Sequence, residues 1–433
     1  MRKTYRLQID DPKRVKNQLL QWSRGFEHVV WLDSNDLKDA ETDFEAVLAL
    51  GAQAQLVCNS RTALEGLQAF REEHTDWMFG YLGYDLKNEV ERLSSENPDG
   101  LQFPDLHFIV PEKLIFVKSD RIEFEYLEEV AGHVESDKRS IFQSSESHGS
   151  SETTEQIRIS LRTTKDTYFE RFERIQQHLQ RGDIYETNYC QEFFAKDTRI
   201  DPWNCYHKLN ELAGAPFSTF LRFGDQFVVS SSPERYLQRK GNTVKSQPIK
   251  GTAKRGNTVE EDNRLKAALM NDPKERSENI MITDLVRNDL SHLALAGTVK
   301  VAALCELHSF KQVHQLISTV VAEVPEETSL TDLIKATFPM GSMTGAPKVA
   351  AMEIAEEVED FKRGVYSGTV GYVKPNGDFD FNVVIRSILY NAALEYVSFA
   401  VGGAITAAAN AADEYEECLL KAKAMRQVLE GNS

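Results

Sequence analysis

Two strand-like runs, residues 365–373 and 379–390, flank Lys374-Pro375-Asn376-Gly377-Asp378, and a third run, residues 395–405, follows after another short turn. An Asn-Gly pair between such runs suits the left-handed residues of a tight hairpin. The C-terminal half is therefore expected to contain an antiparallel meander carrying Tyr366, Arg386 and Gly402. Helices are as legible. From Thr164 to Arg181, the apolar residues Tyr168, Phe172, Ile175 and Leu179 recur at spacings of three and four, which is one helix face, and Gly182-Asp183 ends it. Residues 1–130 alternate short apolar runs, such as Val29-Val30-Trp31-Leu32 and Leu114-Ile115-Phe116-Val117, with helical stretches. The expected class is α+β, with antiparallel sheets surrounded by helices.

Residues 131–157 lose hydrophobicity around Ser144-Ser145-Glu146-Ser147-His148-Gly149-Ser150-Ser151. Such a stretch cannot bury enough apolar surface to order itself. It is read as a flexible linker between an N-terminal region, 1–130, and a catalytic region, 158–433. The net charge of −17 argues against nucleic-acid binding, which needs a basic face. No run of 18 apolar residues occurs, and Met1-Arg2-Lys3-Thr4-Tyr5-Arg6 lacks the apolar core of a signal peptide, so a cytoplasmic location is expected. Cys58, Cys190, Cys205, Cys305 and Cys418 are odd in number and never in Cys-x-x-Cys spacing, which fits reduced packing residues better than a disulfide framework or zinc knuckle.

Lys250, in Gln247-Pro248-Ile249-Lys250-Gly251-Thr252, carries the main chemical question. A lysine is a nucleophile only when neutral, which needs burial or cationic neighbours, and Lys245, Lys254 and Arg255 are close in sequence. Pro-x-x-Gly taken alone reads as a turn with Lys250 at its solvated tip. Glu275 and Glu278, like Glu414 and Glu417, are three residues apart, so each pair shares one face if its segment is helical. Such pairs either decorate a solvated face or offer the oxygen ligands that magnesium prefers. Arg386 has the planar fork that grips a carboxylate, and Lys421 lies one turn after Glu417.

The order of motifs decides between these readings. Residues 232–236 read Ser-Pro-Glu-Arg-Tyr, 278–290 Glu-Asn-Ile-Met-Ile-Thr-Asp-Leu-Val-Arg-Asn-Asp-Leu and 341–348 Gly-Ser-Met-Thr-Gly-Ala-Pro-Lys. Then come Tyr366-Ser367-Gly368-Thr369-Val370-Gly371-Tyr372, Val384-Ile385-Arg386-Ser387, Gly402-Gly403-Ala404 and Asp413-Glu414-Tyr415-Glu416-Glu417. This set resembles the chorismate-utilising enzymes, closely over residues 160–430 and loosely before them. The resemblance implies an anthranilate synthase component I-like fold. It also implies Mg2+ held by Glu275, Glu278, Glu414 and Glu417, with Glu278 and Glu417 as direct ligands. Glu234 matches the family's general acid or base, and Thr252, Ser342, Tyr366, Arg386, Gly402 and Lys421 match its substrate contacts.

Lys250 places the chain with one branch. Relatives that make anthranilate, isochorismate or salicylate carry Ala there, whereas aminodeoxychorismate synthases carry Lys. The resemblance thus implies attack by Lys250 on chorismate, displacement by ammonia, and 4-amino-4-deoxychorismate as product, on the route to 4-aminobenzoate and folate. No cysteine sits in a Gly-x-Cys-x-Gly context, so ammonia is expected from a glutamine amidotransferase subunit or from solution. The rivals are an anthranilate synthase component I and a catalytically silent chorismate or tryptophan sensor. Two positions depart from the family pattern: Gln315 stands where relatives carry His, with His314 one residue off, and Glu186 stands where aminating relatives carry Gln. A carboxylate at 186 either helps hold ammonium or is merely exposed. Trp31-Leu32-Asp33-Ser34 resembles a tryptophan-holding segment, making Ser34 a candidate contact and tryptophan a candidate ligand, feedback or structural.

Overall fold

Val29, Val30 and Trp31 are consecutive in the strand His28–Asp33, and all three are buried. Successive strand residues face opposite ways, so this run needs cover on both sides. Val30 packs with Phe79, Phe108 and Phe381 of a second sheet. Val29 and Trp31 face outward under helices, with Leu19, Tyr206 and Phe220, and the Trp31 indole donates to the Tyr206 hydroxyl at 3.0 Å. The computed structural model describes residues 1–35, 44–59, 61–143 and 157–431. Among them the strands form one sheet of twelve and one of ten, stacked face to face over a continuous apolar core. Helices Pro12–Trp22, Pro202–Ala213 and Ala411–Glu430 cover the outer face of the larger sheet. No described helix is long and apolar enough to cross a membrane.

The helix anticipated after Thr164 runs Lys165–Arg181, with the Thr164 side chain accepting from Thr167 N and Gly182 closing the end at φ +81°. Tyr168, Phe172, Ile175 and Leu179 are its buried stripe. The Asn-Gly turn joins Thr369–Val373 to Phe379–Asn382 in register, with Gly371 opposite Phe381. Four of the five cysteines are buried and all five are free thiols.

Two expectations need correction. The meander is not continuous: Thr369–Val373 and Phe379–Asn382 belong to the smaller sheet, while Ser387–Asn391 and Tyr396–Thr406 belong to the larger. Periodicity reports which residues alternate, not which sheet receives them. The linker read over 131–157 is ordered at its start, where Ala131–His133 and the helix Val134–Gln143 bury Val134 and Ile141 against the larger sheet. Residues 144–156, which include the serine-rich stretch, lie outside the described residues. Nor does that stretch divide the sheets into an N-terminal and a C-terminal set, because His28–Asp33 pairs directly with Phe217–Phe223, Trp31 opposite Phe220.

Candidate active site

Two passages of the chain between the sheets build the site. Pro233-Glu234 links the strand Gln226–Ser232 of the larger sheet to Arg235–Lys240 of the smaller, and residues 383–386 return from Phe379–Asn382 to Ser387–Asn391. The passages are tied together by Val383 N to Glu234 O at 3.0 Å and Ser231 N to Arg386 O at 3.2 Å. Arg386 turns its corner at φ +50°, a backbone region that bulky residues rarely occupy and that clusters at functional sites. Among the described residues its guanidinium has no ion-pair or hydrogen-bond partner, and burial draws its pKa down.

Glu234 is 4% exposed. Burial raises its pKa to about 7, against the opposing pull of a Ser342 hydroxyl donating to Oε1 at 2.6 Å and of the Lys250 charge. A carboxylic acid poised there can hand a proton to a leaving oxygen at neutral pH.

Lys250 sits in Ile249–Lys254, whose pairing with Val313–Glu323 slips register between Ile249 and Thr252. Gly251 makes the slip possible: its φ is +94°, and a Cβ there would lie 3.1 Å from Glu275 Oε2 and 3.2 Å from Leu316 Cδ1. The Asn279 amide fixes the bulge by donating to Lys250 O and Leu316 O, each at 3.0 Å. The Lys250 ammonium is turned inward, 2.9 Å from Glu186 Oε1, with side-chain exposures of 12% and 1%.

This corrects the expected electrostatics. The cations close in sequence do not govern the amine, and Arg255 is spent on Asp262 at 2.8 Å. Burial presses the Lys250 pKa down, but the carboxylates of Glu186, Glu278 and Glu234 outweigh it and hold the amine above the ordinary lysine value. Glu186 is thus not an exposed residue. It opens the strand Glu186–Ala195, and its Oε2 is buried with no hydrogen-bond partner among the described residues.

The four glutamates come from the starts of two helices, Pro273–Ser291 and Ala411–Glu430. Glu278 and Glu414 are buried, whereas Glu417 is exposed. Burial raises the Glu278 pKa to about 7, and its Oε1 is a buried atom with no hydrogen-bond partner among the described residues. The ion pair with Lys421 at 2.8 Å holds Glu417 below the ordinary value. Lys274 lies between the helices, 2.9 Å from Glu414 Oε1 and 3.9 Å from Glu278 Oε1. Among the described residues, no three acidic, histidine or cysteine side chains already converge as a metal site. The donor chemistry still suits Mg2+: hard oxygens, a buried unpartnered one among them, in a split arrangement that a substrate carboxylate could close.

The remaining predicted residues are placed as follows. Gly402 faces Cys190 across the sheet, and a Cβ on it would sit 2.7 Å from Cys190 Sγ. Tyr366 is buried with its hydroxyl 3.9 Å from the same sulfur. The Lys421 ammonium donates to Gly402 O at 2.8 Å besides pairing with Glu417, so it is less available to a substrate than Arg386. Thr252 Oγ1 accepts from Gln315 Nε2 at 3.4 Å, and Gln315 Oε1 is buried without a hydrogen-bond partner among the described residues. Strand alternation sends His314 to the opposite face, against Asp262 at 2.9 Å. Ser34 Oγ donates to Glu45 O at 3.0 Å, beside residues 36–43 that lie outside the described set. Lys274 and Asn279 escaped the sequence reading. Asn279 carried a signal, being one turn from Glu275 on the same helix face, whereas the partner of Lys274 lies 140 residues away.

The comparisons agree with this geometry. A family model described as "chorismate binding enzyme" matches residues 22–427. An aminodeoxychorismate synthase component 1 of Klebsiella aerogenes is 34% identical over 392 residues, covering 89% of this chain and 85% of that one. An aminodeoxychorismate synthase of Streptomyces griseus is 41% identical over 275 residues, but the match spans only 37% of its length. The crystal structure of anthranilate synthase component I from Streptococcus pneumoniae superposes with a TM-score of 0.76 at 25% identity, over 90% of this chain and 93% of that one. The twin sheets, the ordered motifs and the extent of these matches agree, and the chain belongs to the chorismate binding enzyme family.

Proposed function

We propose that this chain is the chorismate-aminating component of an aminodeoxychorismate synthase. The observation that carries the reading is the Lys250 amine, turned inward onto Glu186 and within electrostatic range of the neutral-pH acid Glu234. A protonated amine is no nucleophile, so its proton must leave before attack. Glu186, already in contact, is the acceptor. The neutral amine then bonds to carbon 2 of chorismate as the ring double bonds shift and the carbon 4–oxygen bond breaks. The hydroxyl departs as water with a proton from Glu234. Ammonia next bonds to carbon 4 and gives a proton back to Glu234, the carbon 2–nitrogen bond breaks as the ring double bonds shift back, and the released amine recovers its proton from Glu186.

Arg386, without a partner among the described residues, grips a substrate carboxylate, and Ser342 holds Glu234 in line. Glu275, Glu278, Glu414 and Glu417 would hold Mg2+, which supplies charge neutralisation for the ring carboxylate. Ammonia comes from a separate glutamine amidotransferase, in keeping with the "component 1" name of the Klebsiella relative. The product retains its enolpyruvyl group, so an elimination of pyruvate by a second enzyme must follow.

The rival reading is anthranilate synthesis, the activity named for the Streptococcus structure. Incubation with chorismate, Mg2+ and ammonium separates the two by product mass. A product that keeps the enolpyruvyl group is expected. Fluorescent anthranilate and free pyruvate would overturn the proposal.

A further inference from the structure

The metal-side acids are crowded, and only some of their charge is met inside one helix. Lys421 pairs with Glu417 one turn away on the same helix. Lys274 does something different. It lies in the first turn of Pro273–Ser291, where Asp272 accepts from its backbone N–H at 2.9 Å and fixes its place. A cation at the start of a helix opposes the helix dipole, which favours anions there. The ammonium is held against that preference by a partner on another helix, Glu414 at 2.9 Å, and it leans toward Glu278 Oε1 at 3.9 Å, an oxygen with no hydrogen bond among the described residues. The two partners differ in freedom: the Lys274 side chain is 43% exposed, and that of Glu414 is 3% exposed. If the contact opens, the lysine moves to solvent and the glutamate stays.

We propose that Lys274 is a tethered counter-cation that ties the two glutamate-bearing helices together, and that a divalent cation must displace it from Glu414 to bind. This inference rests on the glutamates being the Mg2+ site. A bound divalent ion and an ammonium 2.9 Å from Glu414 Oε1 compete for the same oxygen, so the lysine sets the affinity threshold of the site. It does so without contacting the reacting carbons, which makes it a positioning residue. No atom is transferred: one ion pair is exchanged for a metal–oxygen bond, and the ammonium gains water.

The test uses the full-length protein without chorismate. Calorimetric titration with Mg2+ should show the apparent Kd falling by about fivefold in Lys274→Met, the upper scale of one exchanged partly exposed ion pair. Lys274→Arg should stay near the parent. Lys266→Met, which removes a surface lysine paired with Asp262, should leave the Kd unchanged. Displacement itself is read by peptide mass spectrometry after brief acetylation: saturating Mg2+ should speed labelling of Lys274 in the parent. An unchanged or weaker Kd in a folded Lys274→Met, an equal shift in Lys266→Met, or labelling indifferent to Mg2+ would each overturn the inference. If neither parent nor variant binds Mg2+, the metal reading of the glutamates falls first and the counter-cation role with it.

Discussion

Two buried ion pairs in this molecule look alike and behave oppositely. Arg363 and Glu359 are saturated: Arg363 Nε donates to Glu359 Oε2 at 2.8 Å, its other nitrogens reach Met343 O and Asn188 O, and Cys190 N serves Glu359 Oε1 at 2.9 Å. Lys250 and Glu186 are unfinished: one 2.9 Å contact, an orphaned Glu186 Oε2, and orphaned oxygens nearby on Glu278 and Gln315. A buried polar atom left without a partner costs free energy in the folded protein. Such a cost is tolerated where a ligand or a reacting group supplies the missing partner, and the proposed chemistry at Lys250 would give the unfinished pair that role.

The sharpest way to break that contrast is to cut both pairs. Lys250→Met should lower kcat by at least about a thousandfold, as loss of a covalent nucleophile does, while costing less stability than Arg363→Met, because it takes one contact from Glu186 whereas the arginine also holds two backbone carbonyls. Arg363→Met should do the reverse in thermal denaturation, destabilising by about 3–5 kcal/mol through the stranded Glu359. Equal stability losses would erase the distinction.

Glu234→Gln should reduce kcat by roughly a hundredfold or more, the range for a lost general acid. The sign of the pH effect follows from its raised pKa. The protonated acid is the working form, so the parent rate should fall as pH rises through about 7. Stability shares that sign: folding favours the protonated carboxyl, and this contribution, full below the ordinary glutamate range, is lost as pH rises through about 7. A Gln variant whose pH–rate profile still falls there would remove Glu234 from the role.

Glu186→Gln should lower kcat by about a hundredfold at neutral pH, with recovery in alkali, because the amine must then give its proton to solvent. A rate that rises at neutral pH would mean that Glu186 only restrains the amine. Arg386→Lys should act mainly on KM for chorismate, by about tenfold, since a point charge replaces a planar fork. The smallest effect belongs to Ser34→Ala, which loses one hydrogen bond worth about 1 kcal/mol and should leave aminating kinetics unchanged.

Local patterns carried much of the fold. The stripe from Tyr168 to Leu179, its Thr164 cap and the Asn376-Gly377 hairpin are decided within a few residues, so they read directly. The crossing at residues 383–386 did not read, because a strand does not declare which of two sheets it joins. The start of the supposed linker did not either: Val134 and Ile141, two helical turns apart, were the faint signal of a buried stripe amid polar residues. For the candidate site, motif order singled out Lys250, Glu234 and the glutamate pairs. It could not give the state of the amine, because that is set by Glu186, Glu234 and Glu278, all distant in sequence, and not by Lys245, Lys254 or Arg255.

The most direct measurement is the intact mass of the protein quenched after mixing with chorismate and Mg2+ in the absence of ammonium, followed by peptide mapping. The account predicts a covalent adduct equal to chorismate less water, mapped to Lys250, that disappears when ammonium is added. Unmodified protein under conditions where the complete reaction turns over, or an adduct on any other residue, would contradict it.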